Sequence, residues 1–202
     1  MSLWELEQAL WSQQGEVRIA GVDEAGAGPL AGRVYAAAVI LPKGLELPWL
    51  NDSKAVTPRR REVLFDQIQA RALGWAVAFV EPWEIDQLDI LNSRMKAMQL
   101  ALDALDPQVD WALIDGNRDH GSRCGIVTPH QTVVKGDSRS ANIAAASILA
   151  KVSRDRYMEQ MDLEYPQYAF ARHKGYPTKL HYQLLREHGP SPIHRRTFLK
   201  KL

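Results

Sequence analysis

The chain has 202 residues, 46% hydrophobic and 24% charged, with a formal net charge of +1. That is the composition of a globular domain with a real core; a disordered, fibrous or disulfide-stapled chain is excluded. The single cysteine, Cys124, leaves no disulfide partner within the chain; no apolar stretch is long enough to span a bilayer; and Glu5 and Glu7 occupy an N-terminus without the basic start of a secretory signal, so a cytoplasmic monomer with no membrane contact is expected.

Residues 1–16 read as a short helical or frayed lead-in. Residues 17–22 and 33–41 read as strands, rich in β-branched and small apolar side chains, with a tight connection through Gly26, Gly28, Pro29 and Gly32. Thr57-Pro58 opens a helix, threonine as N-cap and proline as first helical residue, ending near Gly74 before a strand over 75–80. Pro82 opens the next helical region. There Leu91, Met95, Met98, Leu102 and Leu105 recur at spacings of four and three, an apolar stripe for core packing that Pro107 ends. Residues 109–114 form a buried strand running into Asp115, and Thr132-Val133-Val134 is a short apolar run before Asp137. Ser138 is expected to cap a helix over 141–161, whose Ala144, Ala145 and Ala146 permit close packing, and a last helix spans 178–188. Strands first in a meander, then alternating with helices, predict an α/β fold: a mixed sheet flanked by helices, with a helical C-terminal portion. One compact unit over 1–202 is expected, its α/β core over about 17–160 and a basic helical portion over about 161–202.

The chemistry concentrates in acidic residues flanked by glycine: Asp23-Glu24 in Gly21-Val22-Asp23-Glu24-Ala25-Gly26, Asp115 in Ile114-Asp115-Gly116, and Asp137 in Gly136-Asp137-Ser138. All follow short apolar runs, and carboxylates at strand ends converge even when far apart in sequence. Packed together they repel, and some are driven to hold protons. A pair of hard divalent cations such as Mg²⁺ or Mn²⁺ removes that repulsion, activates water and stabilises a leaving oxygen in phosphodiester cleavage. The residues therefore read as a metal-dependent nuclease. One geometric difficulty stands: neighbouring strand residues point to opposite faces, so the strand is expected to end or distort at Asp23-Glu24, with Glu24 on the turn.

Other motifs carry less. Gly26-Ala27-Gly28-Pro29-Leu30-Ala31-Gly32 lacks the Gly-Lys-Ser/Thr end of a phosphate loop and the glycine spacing of a dinucleotide site. It remains a loop whose bare backbone can approach a polynucleotide, or a plain turn. His120, Cys124 and His130 match no standard zinc spacing. From Lys151 onward there are 11 Lys/Arg and 5 Asp/Glu, a balance of +6, against −5 over the first 150 residues. An acidic part beside a basic part suits a metal site next to a phosphate track. Arg172-His173-Lys174-Gly175-Tyr176-Pro177-Thr178 places cations and an aromatic ring before a helix N-terminus, where an anionic backbone is favoured, and His194-Arg195-Arg196 adds charge.

Taken together with Asn51-Asp52-Ser53-Lys54, Ile114-Asp115-Gly116-Asn117-Arg118, Val134-Lys135-Gly136-Asp137-Ser138, the run from Ala145 to Val152, and His194-Arg195-Arg196-Thr197-Phe198, these segments resemble bacterial ribonuclease HII, the type 2 ribonuclease H, over nearly the whole chain. The resemblance implies a ribonuclease H-like fold, with cleavage of the RNA strand of RNA–DNA hybrids and incision at ribonucleotides embedded in duplex DNA. It implies that Asp23, Glu24, Asp115 and Asp137 bind two Mn²⁺ or Mg²⁺ ions, and that products carry 5′-phosphate and 3′-hydroxyl ends. It also implies that Tyr176 packs on the ribose and senses its 2′-hydroxyl, with Gly26, Ala27, Gly28, Lys54, Lys174, Arg195 and Arg196 on the substrate. The family usually has Gly-Arg-Gly where this chain has Gly26-Ala27-Gly28, so activity at lone ribonucleotides is expected to be weakened. The related ribonuclease HIII carries an additional N-terminal domain, whereas only a short lead precedes Ile19 here. A hybrid-binding module without turnover is disfavoured by retention of all four carboxylates, and a small-molecule phosphatase by the basic C-terminal part.

Overall fold

The computed structural model describes residues 2–51, 53 and 56–199. Strands β1 (Ile19–Ala25) and β2 (Val34–Ile40) pair antiparallel, and β3 (Gly74–Val80) continues the meander on the outer side of β2. On the other side of β1, β4 (Trp111–Asp115) and then β5 (His130–Val133) run parallel to it, giving a five-stranded mixed sheet ordered β3-β2-β1-β4-β5. The helices are α1 (Glu5–Gln14), α2 (Pro58–Arg71), α3 (Pro82–Leu88), α4 (Ile90–Asp103), α5 (Ala141–Glu164), α6 (Phe170–His173) and α7 (Lys179–His188). The expected α/β sheet with flanking helices and a helical C-terminal part is what the structure shows.

Strand alternation assigns the two faces. Ala20, Val22, Ala36 and Ala38 pack against Met95, Met98 and Leu102 of α4. Ala37 and Val39 pack against Leu64 and Ile68 of α2 and Ala145, Ala146 and Leu149 of α5. Because both faces are covered, β2 is buried throughout and reads as a continuous apolar run. A further cluster joins Leu30, Tyr35, Tyr157, Met158, Phe170 and Leu185, tying the C-terminal helices to the β1–β2 connection.

Local signals set most helix boundaries. Thr57 caps α2 by accepting from the Arg60 amide, and Thr178 caps α7 by accepting from that of His181. The region opened by Pro82 is two helices, not one: Asp89 takes φ 75° and its carboxylate caps α4 by accepting from Asn92 N at 2.9 Å. Leu105 stays buried, although α4 ends at Asp103. The cap of α5 is Ser140, whose Oγ accepts from Ile143 N at 3.1 Å, rather than Ser138. Ser138 lies in a 3-10 turn, Gly136–Ser138, and its hydroxyl donates back to Lys135 O, so the chain must turn once more before the helix can start.

The N-terminal end of α5 is fixed from two directions. Buried Glu7 of α1 accepts from Ser140 Oγ at 2.6 Å and from the amide and side chain of Asn142, while Asn142 Oδ1 accepts from Leu41 N at 2.7 Å. Below it, Gly21 of β1 lies so close that a Cβ added there would fall inside the backbone of Asn142 and Ile143. Neither backbone can retreat without unpacking α5, so Gly21→Ala is expected to destabilise the fold by at least about 3 kcal/mol, at the upper end of overpacking effects. Urea unfolding checks this, and a loss below roughly 1 kcal/mol would show that the helix–strand approach is not rigid.

Candidate active site

Parallel pairing of β1 with β4 sets Val22 beside Ile114, so the next residues, Asp23 and Asp115, emerge side by side at the carboxyl ends of neighbouring strands. Asp137 arrives from the 3-10 turn after β5. Gly136 lets that turn close on β4: its amide donates to Asp115 Oδ1 at 2.7 Å, and a Cβ there would press on Ile143.

β1 does not distort at the acidic pair, contrary to the sequence expectation. Asp23 and Glu24 keep regular register opposite Ala37 and Ala36 of β2. The alternation that made them look incompatible is real, and a cation resolves it. Glu24 turns to the α4 face, where Arg94 Nη2 meets its Oε1 at 2.6 Å, while its Oε2 is buried without a partner. Asp23 is turned the other way, its Oδ1 accepting from the Glu24 amide at 2.7 Å. Both still border one cleft of about 370 Å³ together with Asp115, Asp137, Gly26, Ala27, Gly28 and Tyr176. Ser53, Ser147 and Lys151 complete its wall.

Burial pushes the Asp23 carboxyl well above the ordinary carboxylate range, and the charges of Glu24, Asp115 and Asp137 add to it. Glu24 is also raised by burial, with Arg94 pulling the other way. An oxygen-only donor set carrying excess negative charge, with one buried oxygen unpartnered, fits a hard divalent cation. The carboxylates face one cleft without forming a closed cage: among the described residues, no three His, Cys, Asp or Glu side chains are clustered tightly enough to hold an ion.

A sequence model of the family Ribonuclease HII matches residues 20–201. The chain belongs to the ribonuclease HII family. It is accordingly an endoribonuclease, a hydrolase of the ribonuclease H type. Ribonuclease HII of Geobacillus kaustophilus is 50% identical over 184 residues, 91% of this chain and 69% of that protein. Among solved structures, ribonuclease H2 from Pyrococcus horikoshii superposes with a TM-score of 0.73 at 27% identity, covering 89% of this chain and 93% of that one. Bst-RNase HIII in complex with Mn²⁺ gives 0.62 at 20% identity, covering 90% and 66%, a likeness of fold.

The residues expected on the ribonuclease HII substrate divide into distinct groups. Gly26, Ala27 and Gly28 border the cleft, and the half-exposed ring of Tyr176 stands across from Gly28. Lys174 pairs with Glu159 at 2.7 Å, and exposed Arg196 sits on a turn whose amide donates to Asp86. Lys54 lies outside the described residues. Arg195 needs correction: it is fully buried, and its guanidinium donates to backbone carbonyls at Gly26, Ala27, Pro29, Gly32 and Arg33, so it presents no donor to a bound strand. Ser147 and Lys151 of the cleft wall were not assigned from sequence. Their spacing of four, continued by Asp155, which accepts from Lys151 Nζ at 2.6 Å, marks a polar stripe on an alanine-rich helix.

Sequence reasoning also missed a chain of buried histidines behind Tyr176. The Ser191 amide donates to His194 Nδ1 at 2.9 Å, which leaves the His194 Nε2–H to donate to His181 Nε2 at 3.0 Å. His181 Nδ1–H then donates to the Tyr176 carbonyl at 3.0 Å, and His173 stacks on His181 with 4.2 Å between ring centres. Burial lowers His181 to about 4 and His194 to about 3. Folded pKa values below the unfolded value of about 6.5 mean that the neutral rings contribute stability above that pH and lose it as pH falls toward each folded value. The urea midpoint is therefore expected to drop between pH 6.5 and pH 4, and His194→Gln to flatten that drop while lowering the midpoint at pH 7. An unchanged pH slope in the variant would exclude the histidines as its source.

Proposed function

We propose that this ribonuclease HII cuts the RNA strand of RNA–DNA hybrids and incises duplex DNA at embedded ribonucleotides, with Asp23, Glu24, Asp115 and Asp137 holding two Mn²⁺ or Mg²⁺ ions. The observation that carries the reading is one cleft bordered by all four carboxylates together with the Gly26-Ala27-Gly28 loop and Tyr176. Bound ions would supply Lewis-acid activation of water and stabilisation of the departing 3′-oxygen. The chain supplies the rest. Asp115 and Asp23 are steadied by backbone amides, and Glu24 by Arg94, so the carboxylates bordering the cleft are held on rigid strands. Tyr176 offers a ring face to a ribose, and contact with the 2′-hydroxyl distinguishes RNA from DNA. Lys151 on the cleft wall and Lys174 and Arg196 outside it offer phosphate contacts that position a duplex without reading its sequence. Cleavage at the 3′-oxygen leaves 5′-phosphate and 3′-hydroxyl ends, the chemistry needed to open ribonucleotide excision repair. The proposed working unit is a cytoplasmic monomer.

With Mn²⁺ or Mg²⁺, Asp115→Asn is expected to lower cleavage of both substrates on the order of 10³-fold, the scale of several kcal/mol of transition-state stabilisation. Affinity for the uncleaved duplex should stay within a few-fold. A fully active Asp115→Asn protein, or a parent equally active in chelator, would sink the reading.

Ala27 gives a second test. An arginine at this position adds one charge-assisted contact, worth roughly 1.5–3 kcal/mol. Ala27→Arg is thus expected to raise single-ribonucleotide incision about 10- to 150-fold, with a smaller effect on full hybrids. Equal steady-state rates for parent and variant would remove Ala27 as a determinant of preference.

A further inference from the structure

Two guanidinium groups lie in the interior directly behind residues 26–33. Arg195 Nη2 donates to Gly26 O at 2.6 Å and Arg33 O at 3.3 Å, its Nη1 to Ala27 O at 3.1 Å and Pro29 O at 2.9 Å, and its Nε to Gly32 O at 2.9 Å. Arg154, 1% exposed and carried by α5, donates to Arg33 O and Ala31 O, both at 3.2 Å, and its Nη1 is buried without a partner. Among the described residues neither guanidinium forms an ion pair with a carboxylate. Burial, and after it the charge of Arg154, pulls Arg195 down to about 9.

These contacts fix which way the loop faces. In a planar trans peptide the C=O and the following N–H point in opposite directions. Arg195 draws the Gly26 and Ala27 carbonyls inward, so the amides of Ala27 and Gly28 are turned outward. Those amides donate to no backbone carbonyl among the described residues, and both residues border the cleft. The loop cannot rotate away. Leu30 N donates to Gly175 O and Leu30 O accepts from Arg195 N, while a Cβ on Gly26 would overlap Arg154 Nε. Buried charge lacking a counter-ion is costly, and an anion on the outer side of this loop relieves it.

We propose that Arg154 and Arg195 are positioning residues that hold the Gly26-Ala27-Gly28 loop as an anion nest for a phosphate of the substrate backbone, their buried charge acting through the loop where Ala27 offers none. The proposal rests on the nuclease reading of the cleft for the identity of that phosphate, but the nest itself is testable without it. Arg195 has to be arginine because only a planar five-donor fork reaches carbonyls on both sides at once. Arg154 makes fewer bonds, so lysine there keeps the charge at modest cost.

The test is a titration of ¹⁵N-labelled protein with inorganic phosphate in chelator, followed by amide NMR, alongside steady-state cleavage of a single-ribonucleotide duplex. In the parent the Ala27 and Gly28 amides are expected to shift with phosphate. Arg154→Met should weaken phosphate binding roughly tenfold and raise KM about as much, with kcat changed less than about threefold, and Arg154→Lys should recover most of both losses. Immobile Ala27 and Gly28 amides in the parent overturn the nest whether or not the protein cleaves, and need no variant to fold. A folded Arg154→Met protein with parental phosphate shifts and KM overturns the role of the buried charge. Loss of cleavage in a parent whose amides do respond to phosphate would instead refute the nuclease reading and leave the nest standing.

Discussion

Like charges held together out of water repel and are desolvated, and both effects push toward protonation or separation. The ends of β1 and β4 must tolerate both effects at once, because parallel register leaves Asp23 and Asp115 no choice but to be neighbours. Much of the surrounding architecture answers that constraint. Gly136 brings a third carboxylate in and lends an amide to the second. The cap of α5 and the close seat of Gly21 hold the helix that carries Lys151 against the same strand. Glu24 is turned to the opposite face and shared with Arg94. A regular strand can therefore present two consecutive acidic side chains to one opening without a bulge, provided a cation waits on the far face.

Positive charge is distributed by function rather than spread evenly. Arg94 and Lys151 pair with single carboxylates near the cleft. Among the described residues Arg154 and Arg195 pair with none, and spend their hydrogen bonds on carbonyls instead. A carbonyl satisfies a guanidinium's donors but leaves its net charge nearly intact, so the field behind the 26–28 loop stays positive. The cleft thus has an electronegative floor and an electropositive wall a few residues apart, a polarity suited to a ligand that brings phosphate to one and metal to the other.

Much of this was legible in the residues, for local reasons. Strand cores of β-branched and small apolar residues, the Thr57-Pro58 and Thr178 starts, and acidic residues closing apolar runs all depend on neighbours within a few positions. Errors arose where distant groups decide. Ser138 and Ser140 are equally good caps by type, and only the 3-10 turn forced by Gly136 meeting Asp115 selects the second. Asp89 divides the helical region opened by Pro82 into two helices because its own carboxylate caps the second, which the spacing of the apolar stripe does not reveal. Arg195 looked like surface charge beside Arg196, yet one is fully buried and the other exposed. The pairing of Arg94 with Glu24 crosses from helix to strand, and nothing in either local sequence announces it.

The histidine chain shows how a segment without catalytic groups still bears on the site. A neutral imidazole offers one donor and one acceptor, so a chain of them has a direction. Here the Ser191 amide, which can only donate, sets that direction at one end, and the Tyr176 carbonyl receives it at the other. Protonating His181 would set two donors face to face between the rings, and protonating His194 would set its Nδ1–H against the Ser191 amide. The next residue, Arg195, reaches from the same short segment to the carbonyls of Gly26 and Ala27. One stretch, residues 191–195, therefore holds two parts of the cleft border, the tyrosine turn through imidazoles and the glycine loop through a guanidinium. Tyr176 and Gly28 lie close enough that a Cβ added at Gly28 would stand 4.0 Å from the ring, so the two borders are set relative to each other by that one stretch. A backbone clamp of this kind fixes the loop's shape independently of the side chain at position 27, because the Arg195 guanidinium donates to backbone carbonyls.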